Sequence, residues 1–167
     1  RDNSYRRELG LTDETVVMYA GNVGFSQPLE LIIKAARQFR DRDDLVFVIN
    51  GDGSRRAHFE KEAEDLPNVT FMGYQPRNRL NELLAAGDIH LVPLQPGMGS
   101  ISVPSKIYSI LAAGRPVLAS VDPGTEIDLV VTRSGAGRSV PAGDTRAFID
   151  ALSALIDDPN GRAAAGL

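Results

Sequence analysis

VVMYAGNVGFSQPLELIIKAARQFRDRDDLVFVIN, residues 16–50, holds one complete strand–helix–strand unit. Val16–Ala20 and Leu45–Asn50 are short, β-branched and almost continuously apolar. Strands that do not alternate with polar residues are covered on both faces, which is the habit of parallel sheets. Between them, Leu29, Ile32, Ile33, Ala36 and Phe39 form one apolar stripe at helical spacing, predicting a helix over Leu29–Arg40.

The same alternation continues along the chain. Further strands are expected at Val69–Met72, Ile89–Leu94, Val117–Val121 and Gly137–Val140. Helices are expected at Arg55–Asp65, Arg79–Ala86, Ser105–Ala113, Glu126–Thr132 and Thr145–Asp157. This pattern predicts an α/β fold, a doubly wound parallel sheet of about six strands. Such sheets bind ligands beyond the carboxyl ends of their strands, so the turn after each strand carries the functional information.

The 167 residues fit one domain, residues 1–167. A net charge of −4 argues against a sequence-independent grip on nucleic acid or anionic lipid, because both need concentrated Lys and Arg. The absence of cysteine removes disulfides, thiolate zinc sites and Cys nucleophiles. No apolar run approaches the ~20 residues of a membrane span, and no signal-peptide pattern opens the chain. Arg1–Leu11 reads as a polar lead-in and Arg162–Leu167 as a fraying tail, so a fragment of a longer protein is expected.

After the first strand, Gly21-Asn22-Val23-Gly24 leads toward a helix; it either lets a phosphate approach the backbone or is a plain turn. It matches neither the G-x-G-x-x-G nor the Walker pattern. In Gly51-Asp52-Gly53-Ser54 the polar side chains read best as a helix cap, with direct ligand contact the alternative. After the third strand, Gly73 and Tyr74 could take a nucleobase, or Tyr74 could cover the sheet edge.

Pro96–Gly114 is the most suggestive segment. A glycine-containing loop runs into Pro104, which suits a first helical turn, with Ser100 and Ser102 just ahead and Lys106 following. Lysine near a helix N-terminus opposes the dipole, and a bound anion would reverse that penalty. Ile107, Ile110 and Leu111 should face the core, with Ser102, Lys106 and Ser109 on another side.

The ordered set Tyr19-Ala-Gly-Asn22, Gly51-Asp-Gly53, Val69-Thr-Phe-Met-Gly73, Ala86-Gly-Asp-Ile-His-Leu-Val-Pro93, Ala113-Gly-Arg-Pro-Val117, Asp122-Pro-Gly-Thr-Glu126 and Val140-Pro-Ala-Gly-Asp144 resembles the C-terminal, nucleotide-binding domain of GT-B glycosyltransferases of family 4, which are retaining enzymes. The resemblance covers nearly the whole chain and implies a Rossmann-like domain, one half of a GT-B architecture. It implies that Gly21, Asn22, Ser102, Val103, Ser105 and Lys106 hold the diphosphate of a nucleotide-sugar donor, with the base beside Gly73 and Tyr74. Two glutamates usual in the family fall at Ile101 and Ser109, and cations usual in the first loop fall at Asn22 and Gln27. Ser109 therefore stands where the ribose is usually held, and Lys106 is expected to supply the missing charge.

The resemblance also implies an N-terminal acceptor-binding domain carrying the general acid/base work, a glycan or lipid-linked acceptor, and an isolated domain with little or no activity. It implies no cofactor and no metal, the nucleotide sugar being a substrate, and a cytoplasmic or inner-membrane-face location in bacterial polysaccharide assembly. A GT-B sugar-nucleotide epimerase and a non-catalytic nucleotide-binding or receiver-like domain are the competing readings. His58 and His90 have no Asp/Glu partners at metal-ligand spacing, Glu60–Asp65 reads as a solvated helix face, and Glu126 as a helix start within reach of the cleft.

Overall fold

A computed structural model describes residues 3–99 and 106–165. Six parallel strands form one sheet: β1 (Thr15–Ala20), β2 (Leu45–Asn50), β3 (Val69–Met72), β4 (Ile89–Pro93), β5 (Val117–Val121) and β6 (Gly137–Pro141). They lie in the order β3-β2-β1-β4-β5-β6, so the winding reverses between β1 and β4. Helices α1 (Ser4–Glu8), α2 (Glu30–Gln38), α3 (Arg56–Glu62), α4 (Leu80–Ala86), α5 (Lys106–Ala112), α6 (Glu126–Ser134), α7 (Thr145–Ile156) and α8 (Pro159–Ala165) complete the domain. A 3-10 turn, Arg77–Arg79, precedes α4.

Side chains alternate across each strand, so β1 feeds two cores. Val17 and Tyr19 join Leu31, Ile32 and Ala36 of α2, Phe59 of α3, and Phe148 and Leu152 of α7. Val16 and Met18 join Tyr5 of α1, Leu83 and Leu84 of α4, Ile107 and Ile110 of α5, and Ile127 and Val131 of α6. Both faces are thus covered, which is why β1, β4 and β5 read as continuous apolar runs.

Two expectations are corrected. The polar lead-in is not all surface: Ser4–Glu8 is helical, capped by the Asn3 side chain, with Tyr5 and Arg6 buried. The tail also contains a helix, α8, which begins at Pro159 and includes Arg162. Arg6 explains the first case. Its guanidinium donates to the carbonyls of Ala86, Thr12 and Glu14 and pairs with Asp88 at 3.1 Å. Asp88 in turn accepts from the Val16 amide at 2.9 Å. A polar residue reads as surface until its partners, here some eighty positions away, are known.

Candidate functional site

The β1–β4 reversal opens a crevice at the carboxyl ends of those strands. Two cavities lie there. The smaller, about 130 Å³, is lined by Tyr19, Ala20, Gln27, residues 90–94 and Lys106. The larger, about 280 Å³, extends over β2 toward α4 and is bounded by Gly21, Asn50, Tyr74, Gln75, Leu80 and Ser109, among others. Ala20, Lys106 and Ile110 border both.

The first loop is held rigidly over this crevice. The Gly21 amide donates to the Asn50 carbonyl at 2.8 Å and the Val23 amide to the Asp52 carbonyl at 2.9 Å. On the other side the Gln95 amide donates to the Ser26 carbonyl at 3.1 Å. Gly51 has to be glycine for this arrangement: its φ is 148°, and a Cβ there would overlap the Gly21 carbonyl. The glycines after β2 therefore support the first loop. The expected side-chain cap of α3 is absent: Arg55 occupies the cap position without a side-chain bond, and Asp52 Oδ1 instead accepts from the Gly53 amide.

Lys106 is the most unusual group in the crevice. Its ammonium reaches back over β1, 5.8 Å from the centroid of the Tyr19 ring and within cation–π range. It lies so close to Gly21 that a Cβ at that position would collide with Nζ. No carboxylate among the described residues pairs with it. Although the residue as a whole is exposed, the surrounding protein removes water from its charged end, and desolvation lowers its pKa from the ordinary lysine value. Burial pushes the Tyr19 phenol upward, so it stays protonated and donates to the Asn22 carbonyl at 2.6 Å. A desolvated cation without a counter-ion among the described residues, beside the buried Gly21 and the exposed Asn22, is suited to an anion.

Tyr74 is 61% exposed, and its hydroxyl donates to the Asp52 carbonyl at 3.2 Å. It flanks the larger cavity with its hydroxyl anchored. Gly73 has open space around it, and its carbonyl accepts from the Gln75 side-chain Nε2 at 3.2 Å. Ser109 is half-buried on the cavity wall, one turn after Lys106, while Ile107 and Ile110 face the core. Gly21, Asn22, Lys106, Ser109, Gly73 and Tyr74 thus share one rim. Ser102, Val103 and Ser105, with Ile101, lie outside the described residues.

Other candidates fall elsewhere. His90 is buried and pushed down to about 4 by desolvation, its Nε2 2.9 Å from the Leu84 carbonyl, so it is a neutral strand-to-helix link. Glu126 is held by the Tyr108 hydroxyl. His58 pairs with Glu62 on α3 at 3.6 Å, and the acidic run there pairs in part with Arg56 and Arg37. Among the described residues no three His, Cys, Asp or Glu side chains cluster as metal ligands, and no helix is long and apolar enough to cross a membrane. Sequence reasoning missed Asn50, whose signal is one polar residue closing an otherwise apolar buried strand. It also missed Gln75 and Arg77, which border the larger cavity and carry no such signal.

Fold and rim together define the class of Rossmann-like domains that open a ligand crevice at the switch point of a parallel sheet. The sequence matches the family described as Glycosyl transferases group 1 over residues 14–158, and the chain belongs to that family. It is 37% identical over 128 residues to WcaI of Escherichia coli K12, described as a colanic acid biosynthesis glycosyl transferase, a match covering 75% of this chain and 31% of that protein. It is 34% identical over 145 residues to WbjE of Pseudomonas aeruginosa, described as a glycosyltransferase, covering 86% and 35%. The chain therefore spans about a third of the length of these relatives. Among solved structures, Anabaena Alr3699/HepE in complex with UDP-glucose superposes with a TM-score of 0.78 at 18% identity, covering 98% of this chain and 44% of that one. At that identity the likeness is one of fold, matching GT-B glycosyltransferase structures.

Proposed function

We propose that this chain is the donor-binding, C-terminal domain of a retaining family 4 glycosyltransferase that moves a sugar from a nucleoside-diphosphate sugar to a glycan or lipid-linked acceptor. The observation that carries the reading is the Lys106 ammonium, desolvated and without a carboxylate partner among the described residues, standing over Gly21 between the two cavities. In this reading Gly21, Asn22 and Lys106 hold the diphosphate, joined by Ser102, Val103 and Ser105. Gly73 and Tyr74 flank the base, and Ser109 faces the ribose.

The chemistry follows from charge. As the bond from the anomeric carbon to the β-phosphate oxygen breaks, negative charge grows on the leaving nucleoside diphosphate. A cation positioned beside the leaving group stabilises that charge more than it stabilises the bound donor. The acceptor, its proton-transfer groups and the control of stereochemistry belong to an N-terminal domain of the same protein. The sugar nucleotide is a substrate, and no further cofactor is invoked. The proposed location is the cytoplasm or the inner face of its membrane, where such donors are made. The curated relatives named above are described as glycosyltransferases, which does not favour an epimerase or a non-catalytic domain.

Calorimetric titration of the chain with UDP, GDP and inorganic pyrophosphate tests this reading. Saturable binding of a nucleoside diphosphate, competed by pyrophosphate, is expected. Absence of binding by all three ligands would contradict it.

A further inference from the structure

β2 is apolar from Leu45 to Ile49 and ends on Asn50, a side chain only 2% exposed. Its Oδ1 is taken by the Tyr5 hydroxyl. Tyr5 is itself fixed: fully buried, with the Arg79 guanidinium 5.5 Å from its ring centroid, and Arg79 pairs with Glu8 of α1 and Glu82 of α4. Burial pushes the Tyr5 phenol up to about 12, so the proton stays on the hydroxyl. With one corner of the Asn50 amide occupied, Nδ2 is left buried and without a partner among the described residues. Asn50 lines the larger cavity, whose other walls include Leu80, Leu83, Leu84 and Tyr74.

Buried amide donors in native proteins are nearly always matched, because leaving one unmatched forfeits the hydrogen bond it made to water. Sheet order places this one. Lys106 and Gly21 stand over β1 and its border with β4, whereas Asn50 and Tyr74 stand over β2 and β3, which pair directly at Asn50 and Met72. A nucleoside diphosphate with its phosphates at Lys106 can therefore lay its base across β2. A largely apolar cavity with Gln75, Arg77 and Ser109 also in its lining, and one buried donor left unmatched at Asn50, suits a flat heteroaromatic ring that presents a carbonyl oxygen.

Building on the donor-domain reading, we propose that Asn50 Nδ2, aimed by Tyr5, donates a hydrogen bond to a carbonyl oxygen of the nucleobase, so that the cavity selects uracil or guanine over adenine, which has no carbonyl. Asn50 is then a specificity-determining contact and Tyr5 a positioning residue. A site built around a hydrogen-bond donor discriminates chiefly by leaving it unpaired with the wrong ligand.

The test is calorimetry of the chain with UDP, GDP, ADP and inorganic pyrophosphate, on wild type and two variants. Wild type should bind UDP or GDP about tenfold more tightly than ADP, the worth of one buried hydrogen bond. Asn50→Asp keeps the shape and the bond from Tyr5 but replaces the donor by an acceptor. It should erase or invert that preference while leaving pyrophosphate affinity unchanged. Because a buried carboxylate can impair folding, the double variant Tyr5→Phe/Asn50→Val removes both polar partners together. It should fold, verified by circular dichroism, and bind all three nucleotides within about threefold of one another. If wild type shows no preference, or if the folded variants keep it, this inference is overturned while the donor-domain reading stands. If wild type binds neither nucleotides nor pyrophosphate, both are overturned.

Discussion

Arg6 and Lys106 stand at opposite ends of the same sheet and are treated in opposite ways. Arg6, 3% exposed at the amino ends of β1 and β4, meets three carbonyls and the Asp88 carboxylate. Lys106, at the carboxyl ends of the same two strands, meets a tyrosine ring and a glycine, with no counter-ion among the described residues. A cation whose donors are nearly all used serves stability. A cation that is desolvated and unmatched costs stability, and groups of that kind cluster at binding sites. On the proposed reading, that difference sets a structural cation at the amino-end rim against a binding cation at the carboxyl-end rim.

Arg6→Ala should give the largest effect. Removing one member of a buried, hydrogen-bonded pair costs about 3–5 kcal/mol, read as a lower denaturant midpoint, while the folded fraction keeps its UDP affinity. Loss of affinity in the folded fraction would undo the division between the rims.

His90 supplies the next effect, through pH. Its folded pKa of about 4 lies below the ordinary 6.5, so the unfolded chain binds the proton more readily. Its contribution is fully present above pH 6.5 and is lost as pH falls toward 4, by about 3 kcal/mol. In His90→Leu that segment of the stability profile should flatten, and an unchanged slope would show that His90 is not the titrating group.

Gly21→Ala sharpens the comparison at the functional rim. The added methyl meets the end of a flexible lysine, and the Tyr19 hydroxyl 3.0 Å away need shift only by a few tenths of an ångström, so stability should change by about 1 kcal/mol. The displaced ammonium should nevertheless weaken UDP about tenfold, by calorimetry. Tyr74→Ala should have the smallest consequence, a few-fold loss for UDP and none for pyrophosphate, because an exposed ring contributes about 1 kcal/mol of stacking to a base.

Much of the fold was legible because parallel strands covered on both faces leave continuous apolar runs, as in Val16–Ala20 and Leu45–Asn50. Helix α1 was not, since five residues with one aromatic carry no period, and its stability comes from Tyr5 meeting Asn50 and Arg6 meeting Asp88 far along the chain. The grouping of Lys106 with Ser109 followed from helical spacing, and both border the larger cavity. What the sequence could not show is the fold of Lys106 back over Gly21, because that depends on the β1–β4 reversal and on Gly51 letting the first loop settle. Asn50 was visible as a polar residue in an apolar strand, but its meaning lies in having one corner paired and the other not.

The central claim is that Lys106 is held for an anion rather than for the fold. Its most direct test compares Lys106→Ala with wild type in two measurements on one preparation, denaturant stability and calorimetric affinity for UDP. Stability should be unchanged or slightly raised and affinity lowered at least about tenfold, the worth of one charge-assisted contact to a phosphate. Unchanged UDP affinity in a folded Lys106→Ala protein would contradict it.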